Sequence, residues 1–383
     1  MGHEDKLETS TMRITFLTKS PRFAGGVRAI AVYAHRLKNR GHDIRVISVP
    51  NPPWSIGKKG RYFLRHGRWP RTKYVQPPSF FDLTDVPHVT LERHRPPSPK
   101  DVPDADVIIA TWWETAEWVA ALPESKGAKA YFLQHFETAM PCASEPGVAE
   151  RVEATWRLPL HKIVVCGWLR KVAEEQFGDY QTSLVTYGVD HDQFFAPPRG
   201  KRERPTVGFM YSDAGFKGCD IALDAVSRVR SVIPDLRMVA FGTLARDRGP
   251  GLPDWVEYWR SPAQDKLREI YAMCDAWLFA SRCEGFGLPI LEAMACRTPV
   301  IGTPTGIAPE AIEPGGGILV PMEDAEAMAD AIVRVAEMDE ASWRAMSDAA
   351  YATATGYTWD DATDRFEESL RTSVQKQRES VTA

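Results

Sequence analysis

Two glutamates with seven residues between them, Glu284 and Glu292, bracket a turn carrying Gly285, Phe286 and Gly287 that runs into Leu288 and Pro289. The apolar run 276–280 ahead of the turn reads as a strand, and Pro289 suits the first position of a following helix. The first N–H groups of a helix lack intrahelical partners and carry the positive end of its dipole, so the backbone from Gly285 to Leu288 is an anion site needing no side chain. Glu284 lies before the helix and Glu292 one turn inside it, so hydroxyls on either side of a bound phosphate can donate to them. Phosphate flanked by hydroxyl-binding acids is the chemistry of a nucleotide sugar.

Such a turn has to be held by a sheet, and the chain repeats a strand–turn–helix grammar along its length. A strand at 13–17 meets the turn Ala24-Gly25-Gly26, then a helix at 27–40 ended by Gly41 and a strand at 44–49. A Gly-Gly turn opening a helix lets a ligand approach the backbone closely. A strand at 107–110 delivers Trp112 and Trp113 to a helix start, and one at 131–134 delivers His135. Both deliveries fall at strand ends, where open α/β sheets bind ligands. The tryptophans suit either a core or stacking on a sugar ring.

A strand at 163–166, a helix at 169–177 and a strand at 184–190 precede a proline-rich linker, 197–205. The grammar then restarts. A strand at 206–211, a turn at 212–218 holding Lys217 and Gly218, a helix to 233 and a strand at 236–242 lead to the 276–292 unit. A strand at 299–302, a small-residue loop at 303–310, a strand at 318–320, a helix capped by Asp324 and a long amphipathic helix from Thr358 follow. The expected fold class is α/β.

A chain of 383 residues with 44% hydrophobic content can fill two ordinary cores. The net charge of −4 gives no case for nucleic acid as a partner. The six cysteines, Cys142, Cys166, Cys219, Cys274, Cys283 and Cys296, form no C-x-x-C pair, which points away from a zinc site or disulfide framework and toward a reducing, cytoplasmic setting. No stretch approaches membrane-spanning length, and residues 1–11 read as an extension ahead of Met12. The periodic pattern fails over 50–78, which carries Lys58, Lys59, Arg61, Arg65, Arg68, Arg71 and Lys73 without an acid, interleaved with Trp54, Tyr62, Phe63, Trp69 and Tyr74. That composition suits an anionic membrane surface or an acidic acceptor as well as a solvated loop.

The run from Glu284 to Glu292, followed by Ala293-Met294-Ala295-Cys296 and Thr298-Pro299-Val300-Ile301, resembles the signature of the family 4 retaining glycosyltransferases of GT-B fold. The resemblance implies two Rossmann-like, doubly wound domains facing a central cleft. These would be an acceptor-binding domain over 12–195, a linker over 196–205, a nucleotide-sugar-binding domain over 206–360 and a last helix, 361–383, crossing back to the first domain. It implies transfer from a nucleotide diphosphate sugar to a hydroxyl of a saccharide, lipid-linked saccharide or envelope glycan, with the sugar's configuration retained and with neither metal nor cofactor.

In family terms Lys217 neutralises the diphosphate, Glu284 binds sugar hydroxyls and His135 faces the donor sugar. Gly285, Phe286, Gly287 and Leu288 hold phosphate, Glu292 holds the ribose, and Gly25 and Gly26 meet the donor phosphates or the acceptor. The basic stretch 54–75 would touch the inner membrane surface. Two departures stand out. Ser212 occupies the place of a usual arginine five residues before the lysine, and Arg297 that of a usual glycine. Arg28, Arg246 and Arg282 are candidates to stand in, and Arg282 and Arg297 are expected to bracket the phosphate-binding helix. The same fold hosts nucleotide-sugar epimerases, and a missing arginine also suits a non-catalytic nucleotide-sugar-binding protein.

Overall fold

The computed structural model describes residues 10–21, 25–70, 78–139 and 146–382. Contacts divide the chain into two compact units. One runs to Val164 and includes 179–183 and the segment from Thr363 onward, and the other comprises 165–178 and 184–362.

The first unit contains β1 (Arg13–Thr18), α1 (Gly25–Asn39), β2 (Asp43–Ser48), α2 (Ile56–His66), β3 (His88–Thr90), β4 (Val107–Ala110), α3 (Trp113–Ala121), β5 (Ala128–Leu133), α4 (Val148–Trp156) and β6 (His161–Val164). With β7 (Ser183–Leu184) these strands form a sheet in the order β3-β2-β1-β4-β5-β6-β7. The described registers are parallel, and Phe16 lies opposite both Val46 and Ile109. All four residues of β4 are buried, because helices cover both faces of such a sheet.

The second unit holds α5 (Gly167–Phe177), β8 (Thr206–Tyr211), α6 (Cys219–Arg230), β9 (Arg237–Gly242), β10 (Glu257–Arg260), α7 (Leu267–Ala272), β11 (Ala276–Phe279), α8 (Leu288–Ala295), β12 (Val300–Gly302), α9 (Ala308–Ile312), β13 (Gly317–Leu319), α10 (Ala325–Glu337) and α11 (Glu340–Thr355). Its sheet runs β10-β9-β8-β11-β12-β13 and is parallel at every junction. The final helix, α12 (Trp359–Thr382), joins the first unit from Thr363 onward. There Phe366 stacks on Tyr33 with ring centroids 4.3 Å apart and meets Phe132 edge-on at 5.1 Å.

Each sheet therefore follows the doubly wound order in which the chain starts at the middle and reverses its winding direction. The reversal falls between β1 and β4 in one sheet and between β8 and β11 in the other. Loops leaving the carboxyl ends of those strand pairs part there and leave a crevice, the usual ligand position of an open α/β sheet. In the second unit the two loops are 212–218 and 280–287.

Several sequence expectations are corrected. The stretch 50–78 is not irregular throughout, since α2 occupies its centre. Ser55 accepts a hydrogen bond from Lys58 N at 3.3 Å, and Gly67 ends the helix in a left-handed conformation with its N–H on Phe63 O at 2.8 Å. Gly57, Gly60 and the flanking prolines disguised it, and so did the absence of any buried face. The strand expected over 184–190 shrinks to β7, while Val189 bridges Thr358 instead. The short edge strands β3 and β10 were unforeseen. Pro289 is the second residue of α8, after Leu288. Asp324 does cap α10, accepting from Ala327 N at 2.8 Å. Ala24, Arg71, Lys73, Tyr74, Cys142 and residues 1–9 lie outside the described residues. Among the described residues, no helix is long and apolar enough to cross a membrane.

Candidate functional site

The second unit brings Lys217 and Glu284 together. Lys217 ends a short 3-10 turn, Gly215–Lys217, after β8, and Glu284 sits in the loop between β11 and α8. The Lys217 ammonium lies 2.6 Å from Glu284 Oε1, and the side chains are 19% and 7% exposed. Ser281 Oγ donates to the same oxygen at 2.7 Å. Glu284 Oε2 makes no bond to another described residue. Arg282 N donates to Phe216 O at 2.7 Å and joins the two loops. Gly218 permits the close approach: its φ is +61°, and a Cβ there would overlap the carbonyl of Ala280.

The turn into α8 is held from behind. Glu284 O accepts from Trp168 Nε1 at 3.0 Å, Gly285 O from Cys166 Sγ at 3.0 Å, and Phe286 O from Ile307 N at 2.7 Å. In a trans peptide the C=O of one residue and the N–H of the next point in opposite directions. Tying off these three carbonyls therefore turns the N–H groups of Gly285, Phe286 and Gly287 to the other side, and that of Leu288 opens the helix beside them. Those of Phe286, Gly287 and Leu288 donate to no described residue. Gly306 makes the third tie possible, because its φ is +60° and a Cβ would overlap Phe286 O.

Glu292 lies on α8 and is buried, accepting a bond from Tyr271 Oη at 2.8 Å. Burial and the Glu284 charge push the neighbouring Cys283 thiol up to about 11, so it stays protonated at neutral pH.

The arginines are engaged by partners of their own, and Arg297 does not take the position expected of it. Arg282 donates to both oxygens of Asp220 at 2.9 and 2.8 Å and pairs with Glu323, and hydrogen bonds to these carboxylates raise its pKa further. Arg297 follows the last turn of α8, pairs with Asp348 and lies over the Tyr351 ring. The helix has eight residues, about 12 Å of length, so Arg297 is at the wrong end to bracket the phosphate turn. Arg246 is spent on the carbonyls of Pro253 and Val256. Arg28 is on α1 of the first unit. Ser212 accepts from Ala214 N at 3.1 Å and shapes the loop instead of supplying charge.

A second cluster occupies the corresponding crevice of the first unit. Gly25 and Gly26 open α1, and a Cβ on Gly26 would lie 3.1 Å from Gln134 Oε1, next to His135. His135 Nδ1 is 3.0 Å from Phe136 O. Lys19, beyond β1, pairs with Glu114 at the start of α3. Behind them Glu137 is buried and accepts from Trp113 N at 2.8 Å and Tyr131 Oη at 3.2 Å, with its pKa pushed up to about 8 by burial. Trp113 is buried, with Arg151 over its ring. Among the described residues, no group of three or more His, Cys, Asp or Glu is arranged to hold a metal ion.

Of the residues the sequence singles out, Lys217, Glu284 and the turn lie together in the second unit, while Trp168, Cys166, Ser281, Tyr271 and Glu137, which surround them or the first unit's cluster, carried no expectation as site residues. Ser281 stood inside the motif and could have been weighed. Trp168 is 116 residues from its partner and carried no local signal.

Residues 204–338 match the family described as Glycosyl transferases group 1. The chain is 30% identical over 211 residues to D-inositol 3-phosphate glycosyltransferase of Mycobacterium avium, covering 50% of each chain. It is also 30% identical over 144 residues to MMP alpha-(1->4)-mannosyltransferase of Mycolicibacterium hassiacum, covering 36% of this chain and 34% of the relative. The chain thus spans half or less of the length of these curated relatives. Among solved structures, Anabaena HepE in complex with UDP and glucose superposes with a TM-score of 0.70 at 18% identity, over 94% of this chain and 100% of that one. Sucrose-phosphate synthase of Thermosynechococcus elongatus gives 0.69 at 16%, over 94% and 98%. The fold is that of the GT-B glycosyltransferases, with two Rossmann-like parallel-sheet units.

Proposed function

We propose that this chain is a retaining, metal-independent glycosyltransferase of family 4. It would move a sugar from a nucleoside diphosphate donor to a hydroxyl of a saccharide, lipid-linked saccharide or envelope glycan. One observation carries the reading: a lysine, a carboxylate with a spare oxygen and a row of outward N–H groups converge at the sheet's switch point. That set matches the needs of a sugar attached to diphosphate. The names of the matched relatives, which are transferases and synthases, favour transfer over epimerisation.

The reaction breaks the bond from the anomeric carbon to the diphosphate oxygen and makes one to the acceptor oxygen. In the retaining route the acceptor enters from the leaving-group face, and its proton passes to the departing phosphate. Negative charge grows on the diphosphate as the sugar becomes oxocarbenium-like. Lys217 and the N–H groups of Phe286, Gly287 and Leu288 are fixed donors for that charge and need no reorganisation beyond the release of Lys217 from Glu284. Glu284 Oε2 takes a sugar hydroxyl, and Glu292, steadied by Tyr271, takes the ribose. To His135 we assign the donor sugar, to Gly25 and Gly26 the donor phosphates or acceptor, to the first unit acceptor recognition and to the second donor binding. Arg282 is given no direct donor contact, since Asp220 and Glu323 occupy it. A cytoplasmic setting with the 54–75 stretch against a membrane suits a lipid-linked acceptor.

Thermal melts with a panel of nucleoside diphosphates and their sugars, without metal, test the donor site. Uridine nucleotides lead the panel because HepE is described with UDP and UDP-glucose. At least one nucleotide should raise the wild-type midpoint and fail to raise that of Lys217→Ala. A panel that leaves the wild type unmoved sinks the reading.

A further inference from the structure

Helix α2 buries none of its residues, which is unusual for a helix on a doubly wound domain. Ile56 and Leu64 are 83% and 85% exposed, and Trp54, Phe63 and Trp69 are about half exposed, at 42%, 45% and 55%. At about 100° per residue, Ile56, Phe63 and Leu64 share one sector of the helix, with Gly60 between them and Gly57 next to Leu64. Lys58 and Arg65 fall on the other side, Arg61 flanks the sector past Leu64, and Lys59 and His66 border it next to Phe63. From Pro50 to Pro70 there is no aspartate or glutamate.

The aromatic residues at the two ends are held against the helix. Lys58 Nζ lies 4.9 Å from the Trp54 ring centroid, and Trp54 meets Tyr62 edge-on at 5.5 Å. Trp69 packs on Phe63 at 5.8 Å. Indole and phenol rings carry an apolar body and a polar tip, the chemistry favoured at a lipid–water boundary.

We propose that α2, with Trp69, is an in-plane anchor for the surface of an anionic lipid bilayer. The apolar sector enters the acyl boundary, Lys59 and Arg61 at its flanks reach the headgroup phosphates with their stems along the lipid, and Lys58 and Arg65 on the opposite face add longer-range attraction to the anionic surface. A nucleic acid would match the cations but leave Ile56, Phe63 and Leu64 without a partner. An exposed apolar sector in a stretch whose only charges are cationic suits a fluid anionic bilayer, which needs no matching groove. The inference deepens the reading of a lipid-linked acceptor and rests on that reading for its purpose, while the binding itself is independent of transfer.

Flotation of the full chain with vesicles is the test, using phosphatidylcholine alone and phosphatidylcholine mixed with phosphatidylglycerol. Wild type floats with the mixed vesicles and not with phosphatidylcholine, and rising salt releases it. The double variant Ile56→Asp/Leu64→Asp and the triple variant Lys58→Glu/Arg61→Glu/Arg65→Glu each lose at least about tenfold in the floated fraction. The side chains exchanged are solvent-exposed, so both variants should keep the wild-type melt, and the nucleotide-induced shift measured on the same samples should persist. Vesicle-dependent blue-shifted fluorescence should vanish in Trp69→Phe and persist in Trp54→Phe. Wild type that stays unbound, or variants that float as wild type does, overturn the proposal. Because the nucleotide shift is read separately, loss of flotation leaves the donor site standing, and loss of the nucleotide shift leaves the anchor standing.

Discussion

Glu284 Oε1 is shared by the Lys217 ammonium and the Ser281 hydroxyl, so the two charged groups of the site neutralise each other. On the proposed reading, a diphosphate entering the turn has to win the lysine from the carboxylate. Glu284→Gln removes that competitor while keeping an oxygen for the sugar, so binding and transfer should separate. Nucleoside diphosphate affinity, read by calorimetry, is expected to hold or tighten, whereas turnover falls by roughly 100-fold as the sugar loses its charged anchor. Equal losses in both quantities would refute the competition.

Glu137 poses a different residue-scale question. It holds its proton into the neutral range because burial raises its pKa from 4.5 to about 8, against hydrogen bonds from Trp113 N and Tyr131 that favour the carboxylate. The folded state thus binds this proton more tightly than the unfolded chain. That contribution to stability is complete below about pH 4.5 and is lost as the pH rises through about 8. Glu137→Gln, which cannot ionise, should gain in melting midpoint relative to wild type over that window and run parallel above it. Parallel curves throughout would mean that Lys19, which pairs with Glu114, holds Glu137 ionised instead.

At the scale of elements, the site depends on how closely β8, β11 and their loops approach. Gly218 ends the 3-10 turn that carries Lys217 and is the N-cap of α6, with its α-carbon facing the carbonyl of Ala280. Gly218→Ala adds a methyl to a left-handed residue against a fixed backbone, so the cost should exceed the ~1 kcal/mol of an ordinary left-handed alanine. The melt of the second unit should drop and nucleotide affinity should fall with it. An unchanged melt would show that the loop relaxes freely. Helix α2 carries the opposite lesson about elements. Its cap residues, Ser55 and Gly67, are visible in the sequence, but Gly57 and Gly60 interrupt its pattern and it buries no stripe, so no buried-face periodicity marks it.

Across the whole molecule, the sequence made the architecture legible because parallel strands buried on both faces read as continuous apolar runs, and 206–211 matches β8 residue for residue. The turn after β11 was equally plain, since glycines, proline and flanking acids are local signals. Long-range ties were not. Trp168, Cys166 and Tyr271 reach the site through folding alone, and the ion pairs that occupy Arg282 join residues far apart in the chain. Sequence spacing placed Arg282 and Arg297 on either side of the helix start; Arg282 lies in the loop before the turn but is engaged by Asp220 and Glu323, while the length of α8 carries Arg297 to the far end.

The three carbonyls tied off behind the α8 turn give the protein an unusual pattern of tolerance. A surface made of peptide groups is indifferent to which side chains border it, so on the proposed reading the residues nearest a ligand can drift and alter preference without erasing the grip. Failure enters from the rear. A change at Trp168, Cys166 or Gly306 would let a peptide plane roll over and present oxygen where an anion expects hydrogen, silencing the site from positions that touch nothing bound there.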